Sequence, residues 1–369
     1  MKNVELLVIG GGPAGLCAAI SAAEAGVDVL LAERDEWLGG QLVKQTHMFF
    51  GSEKQQASVR GVDIGKILVK KVEDYKNIEV MENATVLGLY EDGVVTLQQD
   101  GNYVKVHPKS VVITTGASEK TLVFPNNDLP GVYGAGAVQT LMNVYGVKPG
   151  NKVLMVGAGN IGLIVSYQLM QAGVEVEAIV DASPNIGGYL VHASKIRRMG
   201  IPILTRHTVK EAIGKEALEA AVIWELDDKW QPIPGSEKKL DVDVMCISVG
   251  LTPLSELLWQ IGCRMEFVGE LGGFVPIRND KLQTSLDGIF VAGDVAGVEE
   301  ASSAMVEGSL AGLSASSYLG YKIDVEKELE RDYLNQLSDL RSGPVGEKIR
   351  QGLAKALISQ EVTNPGQGS

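Results

Sequence analysis

The sequence contains few cysteines and no long apolar run. Cys17, Cys246 and Cys263 are the only cysteines among 369 residues, and no two of them form a C-x-x-C pair. Cys17 and Cys246 stand in apolar stretches, where a cysteine usually acts as a small buried hydrophobe. No spacing typical of a zinc or iron–sulfur site is present. We therefore expect no resident metal. Because no stretch of 18 apolar residues occurs, we also expect no insertion into a membrane.

Basic residues are also outnumbered. The chain has 46 acidic residues against 33 Lys and Arg, a formal net charge of −13 and a pI near 4.9. Such a charge disfavours nucleic acid or an anionic membrane surface as a partner. Residues 1–5 lead directly into an apolar, strand-like stretch and do not resemble a signal peptide. We therefore expect a cytoplasmic protein.

What the sequence does contain is one glycine pattern, G-x-G-x-x-G, in two copies. Each copy follows an apolar run and leads into a helix-like stretch and a second apolar strand. The first glycine permits a tight turn, the second lets the main chain approach a pyrophosphate, and the third lets helix and strand pack closely. The residues of the two copies that would face a nucleotide are Gly10, Gly12, Pro13, Ala14 and Gly15, then Gly157, Gly159, Asn160, Ile161 and Gly162. Two copies in this context predict two bound nucleotides and electron transfer between them.

An acid about 20 residues beyond each turn would accept hydrogen bonds from ribose hydroxyls. In the first copy this acid is Glu33. In the second copy, Val180 holds the equivalent position and the acid, Asp181, comes one residue later. An empty or degenerate second site is therefore an alternative. No Arg or Lys follows Asp181 closely enough to receive a 2′-phosphate, so NAD(H) is favoured over NADP(H).

Hydrophobic periodicity predicts an α/β fold with two Rossmann-like three-layer nucleotide-binding domains and a short helical C-terminal tail. The predicted β-α-β units span residues 4–40 and 152–181. A β-meander is expected over 79–115, with strands at 79–90, 94–99, 103–107 and 110–114. Further strands are expected at 201–205, within 218–250 and at 288–295. Helices are expected at 62–77, 134–146, 300–318, 325–341 and 345–359, and disorder at 363–369.

Five marks in one order resemble the two-dinucleotide-binding-domain flavoproteins, the pyridine nucleotide-disulfide oxidoreductase superfamily of thioredoxin reductase and glutathione reductase. They are the first glycine turn with Glu33, residues 39–42 (GGQL), residues 114–117 (TTGA), the second glycine turn, and residues 284–294 (TSLDGIFVAGD). The last mark is the most specific, although a lone Gly-Asp pair would be an ordinary turn. The resemblance covers about residues 4–320.

The resemblance implies that FAD binds a discontinuous domain, residues 1–118 plus 275–324. Glu33 would hold the adenosine ribose, and Gly40 and Gln41 would lie near the pyrophosphate and flavin. Asp294 would bind the ribityl chain, and the helix beginning near Ala301 and Ser302 would direct its N-terminus at the flavin. The remaining FAD candidates are Arg34, Val86, Thr115, Gly116 and Gly293. NAD(H) would bind residues 119–274 through the second turn, Asp181 and Gly250.

Two departures from the superfamily affect the expected function. Residues 134–140 lack the redox C-x-x-C that thioredoxin reductases carry in this region, which excludes disulfide reduction by that route. The chain also lacks the long C-terminal dimerisation domain of glutathione-reductase-like members. Residues 124–140 instead resemble the flavoprotein or α subunits of amine, opine and sarcosine dehydrogenase complexes, including relatives of hydrogen cyanide synthase. This implies partner subunits with iron–sulfur or flavin centres, or a homo-oligomer.

Two features have a functional and a structural interpretation. His47 follows Gly40 and Gln41 closely and is a candidate proton donor or substrate-positioning residue, or else it packs in a loop. The charged tail 325–369 either docks on a partner or packs on its own core. The sequence predicts an FAD-dependent oxidoreductase subunit that exchanges hydride between NAD(H) and FAD and passes electrons to or from a partner. The alternative is a subunit whose second nucleotide site is structural only.

Overall fold

The structure is a computed structural model that describes residues 1–344 and 346–357. The disorder expected at 363–369 lies outside the described residues. The chain divides into two compact units. The first comprises Met1–Val43, Met48–Ser118 and the described residues from Thr252 onward, and the second comprises Lys44–His47 and Glu119–Leu251.

The first unit contains a seven-stranded sheet. Its strands are β1 (Lys2–Ile9), β2 (Val29–Ala32), β3 (Ile78–Met81), β4 (Ala84–Leu89), β5 (Val95–Gln99), β6 (Asn102–Ile113) and β19 (Ile289–Val291). They lie in the order β3-β2-β1-β6-β5-β4, with β19 paired to β6. The parallel part, β3-β2-β1-β6-β19, is extended on one side by the antiparallel strands β5 and β4.

The region expected to be a meander is built differently. The strand predicted at 79–90 is interrupted, because Asn83 turns the chain with a φ of 52°. Its first part becomes β3 and joins the parallel strands. The strands predicted at 103–107 and 110–114 form one strand, β6, since its first half pairs with β5 and its second half with β1.

The first unit also contains helices. They are α1 (Pro13–Glu24), α2 (Gly61–Asp74), α6 (Glu256–Gln260), α7 (Ala301–Tyr318), α8 (Glu326–Leu340) and α9 (Glu347–Ala356). Helix α7 packs closely on α1. Gly308 permits this approach, since a Cβ atom there would overlap the Ala14 carbonyl. A hairpin of β17 (Met265–Val268) and β18 (Gly273–Pro276) completes the unit.

The described part of the charged tail packs on its own unit. Leu337 of α8 is buried in the same apolar cluster as α1 and α7. Ala356 of α9 is buried against Leu271 and Val275, which belong to the β17–β18 region. Of the two interpretations of the tail, these contacts favour packing on its own core over docking on a partner. Residues 252–274 fall in the first unit, whereas the sequence placed them with the second nucleotide-binding domain.

The second unit contains a five-stranded parallel sheet. Its strands are β8 (Val132–Gly134), β9 (Lys152–Val156), β10 (Glu175–Asp181), β11 (Ile203–Thr205) and β15 (Val244–Ile247), in the order β11-β10-β9-β15-β8. Its helices are α3 (Ala135–Asn143), α4 (Asn160–Gln171) and α5 (Leu190–Arg198). A three-stranded antiparallel sheet consists of β12 (His207–Gly214), β13 (Leu218–Glu225) and β14 (Lys238–Leu240).

Both units therefore share one parallel-sheet arrangement: the strand before the glycine turn, β1 or β9, is central, and the next two strands in sequence lead from it to one edge, as in Rossmann folds. The chain passes between the units near β7 (Ala117–Glu119) and β16 (Leu251–Pro253). The predicted α/β fold with two Rossmann-like domains and a helical C-terminal segment is confirmed.

Candidate functional site

The first glycine turn joins the end of β1 to the start of α1. Gly10 has a φ of +105°, and a Cβ atom there would lie 2.5 Å from the Thr114 carbonyl oxygen. A Cβ at Gly15 would overlap the Gly10 carbonyl. At Gly12, in contrast, the nearest atom to a built Cβ is 3.9 Å away. The turn is thus closed on its protein side and open at Gly12, where a dinucleotide fold brings its main chain close to pyrophosphate.

Helix α1 begins directly after this open position. Gly12 is the N-cap, and no side chain among the described residues caps it by a hydrogen bond. Pro13 occupies the first helical position, and Ala14 and Gly15 follow without an acidic residue in the first turn. The N–H groups and dipole of such a helix start favour an anion.

Glu33 holds the turn from the end of β2. Its Oε2 accepts a hydrogen bond from the Gly11 N–H at 2.6 Å, and its Oε1 accepts one from the Asp35 N–H at 2.9 Å. Only 6% of the residue is exposed. Each carboxylate oxygen has a further lone pair, so these bonds leave capacity for ribose hydroxyls. Glu33 therefore stabilises the turn itself, in addition to the ribose contact predicted for it.

Two further segments approach the first turn. Gly39 donates its N–H to the Gly11 carbonyl at 2.8 Å, and a Cβ at Gly40 would lie 2.7 Å from the Gly12 Cα. Gly293, at a φ of +74°, lies beside Ala14, with 3.0 Å from a built Cβ to the Ala14 Cβ. The structure thus brings the predicted candidates of three distant sequence regions together.

Asp294 follows Gly293 and is a carboxyl group of this site with a strongly shifted pKa. Burial, chiefly, raises the pKa of its carboxyl to about 7. The Glu299 N–H donates to Asp294 Oδ1 at 3.3 Å and opposes that rise, while the negative charge of Glu307 adds to it. Helix α7 begins just beyond, at Ala301, and no described side chain caps it by a hydrogen bond.

The other first-unit candidates lie around this core. Ser302 is buried and its hydroxyl donates to the Phe50 carbonyl at 3.2 Å, and Gln41 is exposed. Thr115 donates its hydroxyl to the Leu254 carbonyl at 2.7 Å, and the Gly116 carbonyl accepts from the Leu254 N–H. Arg34 is exposed beside Asp35, and Val86 is half-buried in β4, opposite Leu97.

The second glycine turn repeats the construction of the first. Gly157 has a φ of +113°, and a Cβ there would overlap the Ser248 carbonyl. A Cβ at Gly162 would overlap the Gly157 carbonyl, whereas a Cβ at Gly159 would meet no described atom within 4 Å. Asp181 Oδ2 accepts from the Ala158 N–H at 2.6 Å, and its Oδ1 accepts from the Ser183 N–H at 2.8 Å.

Strand register corrects the assignment of the second acid. The Gly10 N–H donates to Ala32, and the Gly157 N–H donates to Val180. Val180 is therefore equivalent to Ala32, and Asp181 is the equivalent of Glu33. The cause is a bulge in β10, where the pairing with β9 shifts between Val176 and Ala178. Counting residues cannot detect this insertion, and the expectation that Val180 matches Glu33 was wrong.

The remaining second-unit candidates are near the turn or at the strand ends. Asn160 begins α4, and its Oδ1 accepts the Tyr189 N–H at 2.8 Å. Ile161 is 39% exposed in the first turn of that helix. Gly250 is exposed, has a φ of +112° and accepts the Lys120 N–H on its carbonyl at 2.9 Å.

His47 belongs to the second unit. Its segment is held there by bonds from Lys44 Nζ to the Gly136 carbonyl at 3.1 Å and from Gln168 Nε2 to Thr46 Oγ1 at 2.8 Å. Burial, with a smaller effect of nearby His192, lowers the pKa of His47 to about 4. The imidazole is therefore neutral near pH 7, which disfavours the predicted role as a proton donor.

Sequence reasoning missed several charged residues that shape these sites. Glu119 Oε1 accepts the Gly136 N–H at 2.6 Å, in the first turn of α3. Glu307 Oε2 accepts the Gly293 N–H at 2.9 Å. Glu307 is the single charged residue in α7, otherwise a run of small and apolar residues. That isolation was the available signal, since a lone charge in a buried helix usually has a specific partner.

Thiol chemistry finds no support in the geometry. All three cysteines are buried and unpaired in the described residues. Burial raises the pKa of Cys17 to about 12 and also raises the pKa of Cys246 above its ordinary value. A thiol in this state is a poor nucleophile.

Neither a membrane span nor a metal cluster occurs in the described residues. No helix there combines the length and apolar character needed to cross a membrane. The same part of the chain has no group of three or more His, Cys, Asp or Glu side chains placed to hold a metal ion.

Curated relatives belong to multi-subunit enzymes. One is an opine oxidase subunit of Agrobacterium tumefaciens (strain Ach5), which is 27% identical over 84% of this chain and 65% of its own length. The alpha subunit of sarcosine oxidase from Corynebacterium sp. (strain P-1) is 25% identical over 98% of this chain and 36% of its own length. Hydrogen cyanide synthase subunit HcnB of Pseudomonas protegens is 27% identical over 85% of this chain and 70% of its own length. The chain thus spans under two thirds of the first two relatives.

Solved structures share the fold. Thioredoxin reductase from T. acidophilum aligns with a TM-score of 0.72 at 22% identity, over 86% of this chain and 99% of that one. L-proline dehydrogenase from P. horikoshii aligns with a TM-score of 0.69 at 24% identity, over 91% of this chain and 59% of that one.

The family model described as pyridine nucleotide-disulphide oxidoreductase matches residues 4–308. Proteins of this family typically bind FAD and a pyridine nucleotide. The family resemblance read from the sequence is confirmed. The chain belongs to the pyridine nucleotide-disulphide oxidoreductase family.

Proposed function

We propose that this chain is an FAD-dependent oxidoreductase subunit that exchanges hydride between NAD(H) and FAD and exchanges electrons with a partner. The observation that carries the proposal is the duplicated turn. Gly12 and Gly159 each leave room for a ligand, and each turn is held by an acid, Glu33 or Asp181, that accepts an equivalent pair of backbone N–H groups.

The residues of the first unit fit FAD. The pyrophosphate would bind at Gly12 and the start of α1, and Glu33 would accept the adenosine ribose hydroxyls. Asp294 would face the ribityl chain, and the N-terminus of α7 would favour negative charge on the flavin. When bound, FAD supplies a ring that takes up a hydride and releases electrons. Glu33, by holding the Gly11 N–H, keeps the turn in its binding conformation.

The residues of the second unit fit NAD(H). Asp181 is in register with Glu33 and would accept ribose hydroxyls through its remaining lone pairs. Its negative charge would repel a 2′-phosphate, and residues 182–185 contain no Arg or Lys. With the register corrected, the argument for a degenerate second site loses its basis. His47, being neutral, would act by hydrogen bonding rather than as an acid.

A partner is needed to complete the electron path. The buried cysteines provide no dithiol to carry electrons onward. The relatives named above are subunits of opine oxidase, sarcosine oxidase and hydrogen cyanide synthase. We propose that the partner bears an iron–sulfur or flavin centre, with a homo-oligomer as the other arrangement, and that the complex is cytoplasmic.

An absorption spectrum of the purified chain tests the proposal, followed by anaerobic titration with NADH and with NADPH. We expect the visible bands of a bound flavin, bleached by NADH faster than by NADPH. A yellow protein that neither nucleotide reduces would indicate a structural second site. A colourless protein that retains an adenine nucleotide would contradict the redox proposal and favour a role in assembly.

A further inference from the structure

The last turn of α8 is linked to the Gly293–Asp294 turn through two buried carboxylates. Arg341, the C-cap of α8, donates from Nε and Nη2 to the two oxygens of Glu299 at 2.9 and 2.8 Å. Its Nη2 also donates to Glu307 Oε1 at 2.5 Å. The three side chains are only 13%, 7% and 4% exposed. A buried, bidentate guanidinium–carboxylate pair fixes both partners in orientation.

Each carboxylate residue also contacts the turn directly. The second oxygen of Glu307 accepts the Gly293 N–H at 2.9 Å. The backbone N–H of Glu299 donates to Asp294 Oδ1 at 3.3 Å. One guanidinium therefore holds both the side chain that binds Gly293 and the segment that binds Asp294.

A second buried guanidinium balances the charge. Arg278 is 1% exposed and interacts electrostatically with Glu307, Glu299 and Arg341. Its backbone N–H donates to the Ala356 carbonyl at 3.0 Å, so that the end of α9 also contacts the segment that follows β18. Two arginines face two glutamates here. Loss of Arg341 would leave an uncompensated buried carboxylate next to Asp294, which is costly.

We propose that Arg341 is a positioning residue for the flavin site, and that the C-terminal helix α8 is therefore part of that site. By holding Glu299 and Glu307, it sets the turn against which the ribityl chain of FAD would bind. The inference rests on the proposed function for the identity of the cofactor. The family match ends at residue 308, so that Arg341 lies outside the part of the chain that the family model describes.

The test compares the full-length variant Arg341→Gln with Arg331→Gln, which removes an exposed arginine from α8. The first measurement is the Kd for FAD, from the quenching of flavin fluorescence on binding. The second is hydrogen exchange of peptides covering residues 291–298 in FAD-free protein. We expect Arg341→Gln to weaken FAD binding about tenfold or more and to speed exchange at this turn, with Arg331→Gln like wild type.

A rescue variant separates positioning from general stabilisation. The double variant Arg341→Gln, Glu307→Gln removes the negative charge at position 307 together with its arginine partner. The amide oxygen of Gln at this position can still accept the Gly293 N–H. We expect the double variant to recover part of the lost affinity and protection. Wild-type FAD affinity and exchange in Arg341→Gln would overturn the inference while leaving the proposed function intact. A wild-type chain that binds no FAD would overturn the proposed function itself, and this inference with it.

Discussion

Replacing Glu33 with alanine removes the acceptor of two backbone hydrogen bonds in the first glycine turn. The carboxylate is 6% exposed and lies 2.6 and 2.9 Å from the Gly11 and Asp35 nitrogens. Hydrogen bonds to a charged group contribute about 1.5–3 kcal/mol each. The free energy of unfolding of the first unit should therefore fall by about 3–6 kcal/mol, less where water replaces the lost oxygens.

Cofactor affinity should fall separately from stability. Loss of the ribose contact, at about 1.5–3 kcal/mol, corresponds to a rise in the FAD Kd of roughly 10- to 150-fold. Asp181→Ala is the matched control, because Asp181 accepts an equivalent pair of backbone hydrogen bonds in the second unit. We expect Glu33→Ala to weaken FAD binding and Asp181→Ala to weaken NADH binding, each with little effect on the other ligand.

Fluorescence titration with FAD and calorimetric titration with NADH measure the two affinities in each variant. Urea denaturation of the ligand-free proteins measures the free energy of unfolding. If Glu33→Ala keeps wild-type stability and FAD affinity, the turn is not held by this carboxylate and the reasoning fails. If both variants weaken both ligands equally, the assignment of one ligand to each turn is refuted.

Gly159→Ala should fold normally, because a Cβ there meets no described atom within 4 Å, yet weaken NADH binding; unchanged affinity by titration would place the pyrophosphate elsewhere. Burial raises the pKa of Asp294 to about 7 from an unfolded value of 3.8, so the folded chain keeps a proton that the unfolded chain loses between these values. The free energy of unfolding of FAD-free protein should then fall as pH rises through this interval, by up to about 1.4 kcal/mol per pH unit, and Asp294→Asn should remove that slope; equal slopes in urea denaturation series would contradict the burial argument. Deleting Glu177 should remove the bulge in β10 without moving Asp181, so NADH affinity should stay within about twofold of wild type. A large gain in affinity would mean that Val180, and not Asp181, holds the position of Glu33 in the wild-type chain.

Periodicity and the glycine pattern predicted most of the two nucleotide-binding units. The apolar runs at 6–9 in β1 and 153–156 in β9 are buried in parallel sheets, and such runs give a strong signal in a single sequence. The breaks were harder to predict. Asn83 divides one predicted strand because its backbone adopts a positive φ, a conformation open to Asn in many contexts without being required by any.

The candidate site was predictable where one residue type serves one task, and not where register or tertiary contacts decide. Spacing alone was enough to select Gly10, Gly12 and Glu33 as candidates, and the structure brings them together in one turn. Asp181 was also a candidate, but its equivalence to Glu33 could not be predicted, since a bulge shifts the register within a strand that reads as regular. Arg341 could not either, because its partners Glu299 and Glu307 are distant in sequence and only the packing of α8 brings them together.

The two turns also differ in what surrounds them, and this bears on how the units would be used. The first is contacted by the glycine loop at Gly40 and by the Gly293–Asp294 turn, which is in turn held by Glu307. A ligand there would be enclosed by several segments of one unit, as suits a tightly held cofactor. A glycine loop approaches the second turn as well, since the Gly188 N–H donates to the Ala158 carbonyl at 2.9 Å and a Cβ at Gly188 would lie 3.0 Å from the Gly159 carbonyl carbon. The contribution particular to the first turn is therefore the Gly293–Asp294 turn, which comes from a distant part of the same unit. An additional enclosing segment suits a cofactor that stays bound, whereas NAD(H) would bind, deliver a hydride and leave.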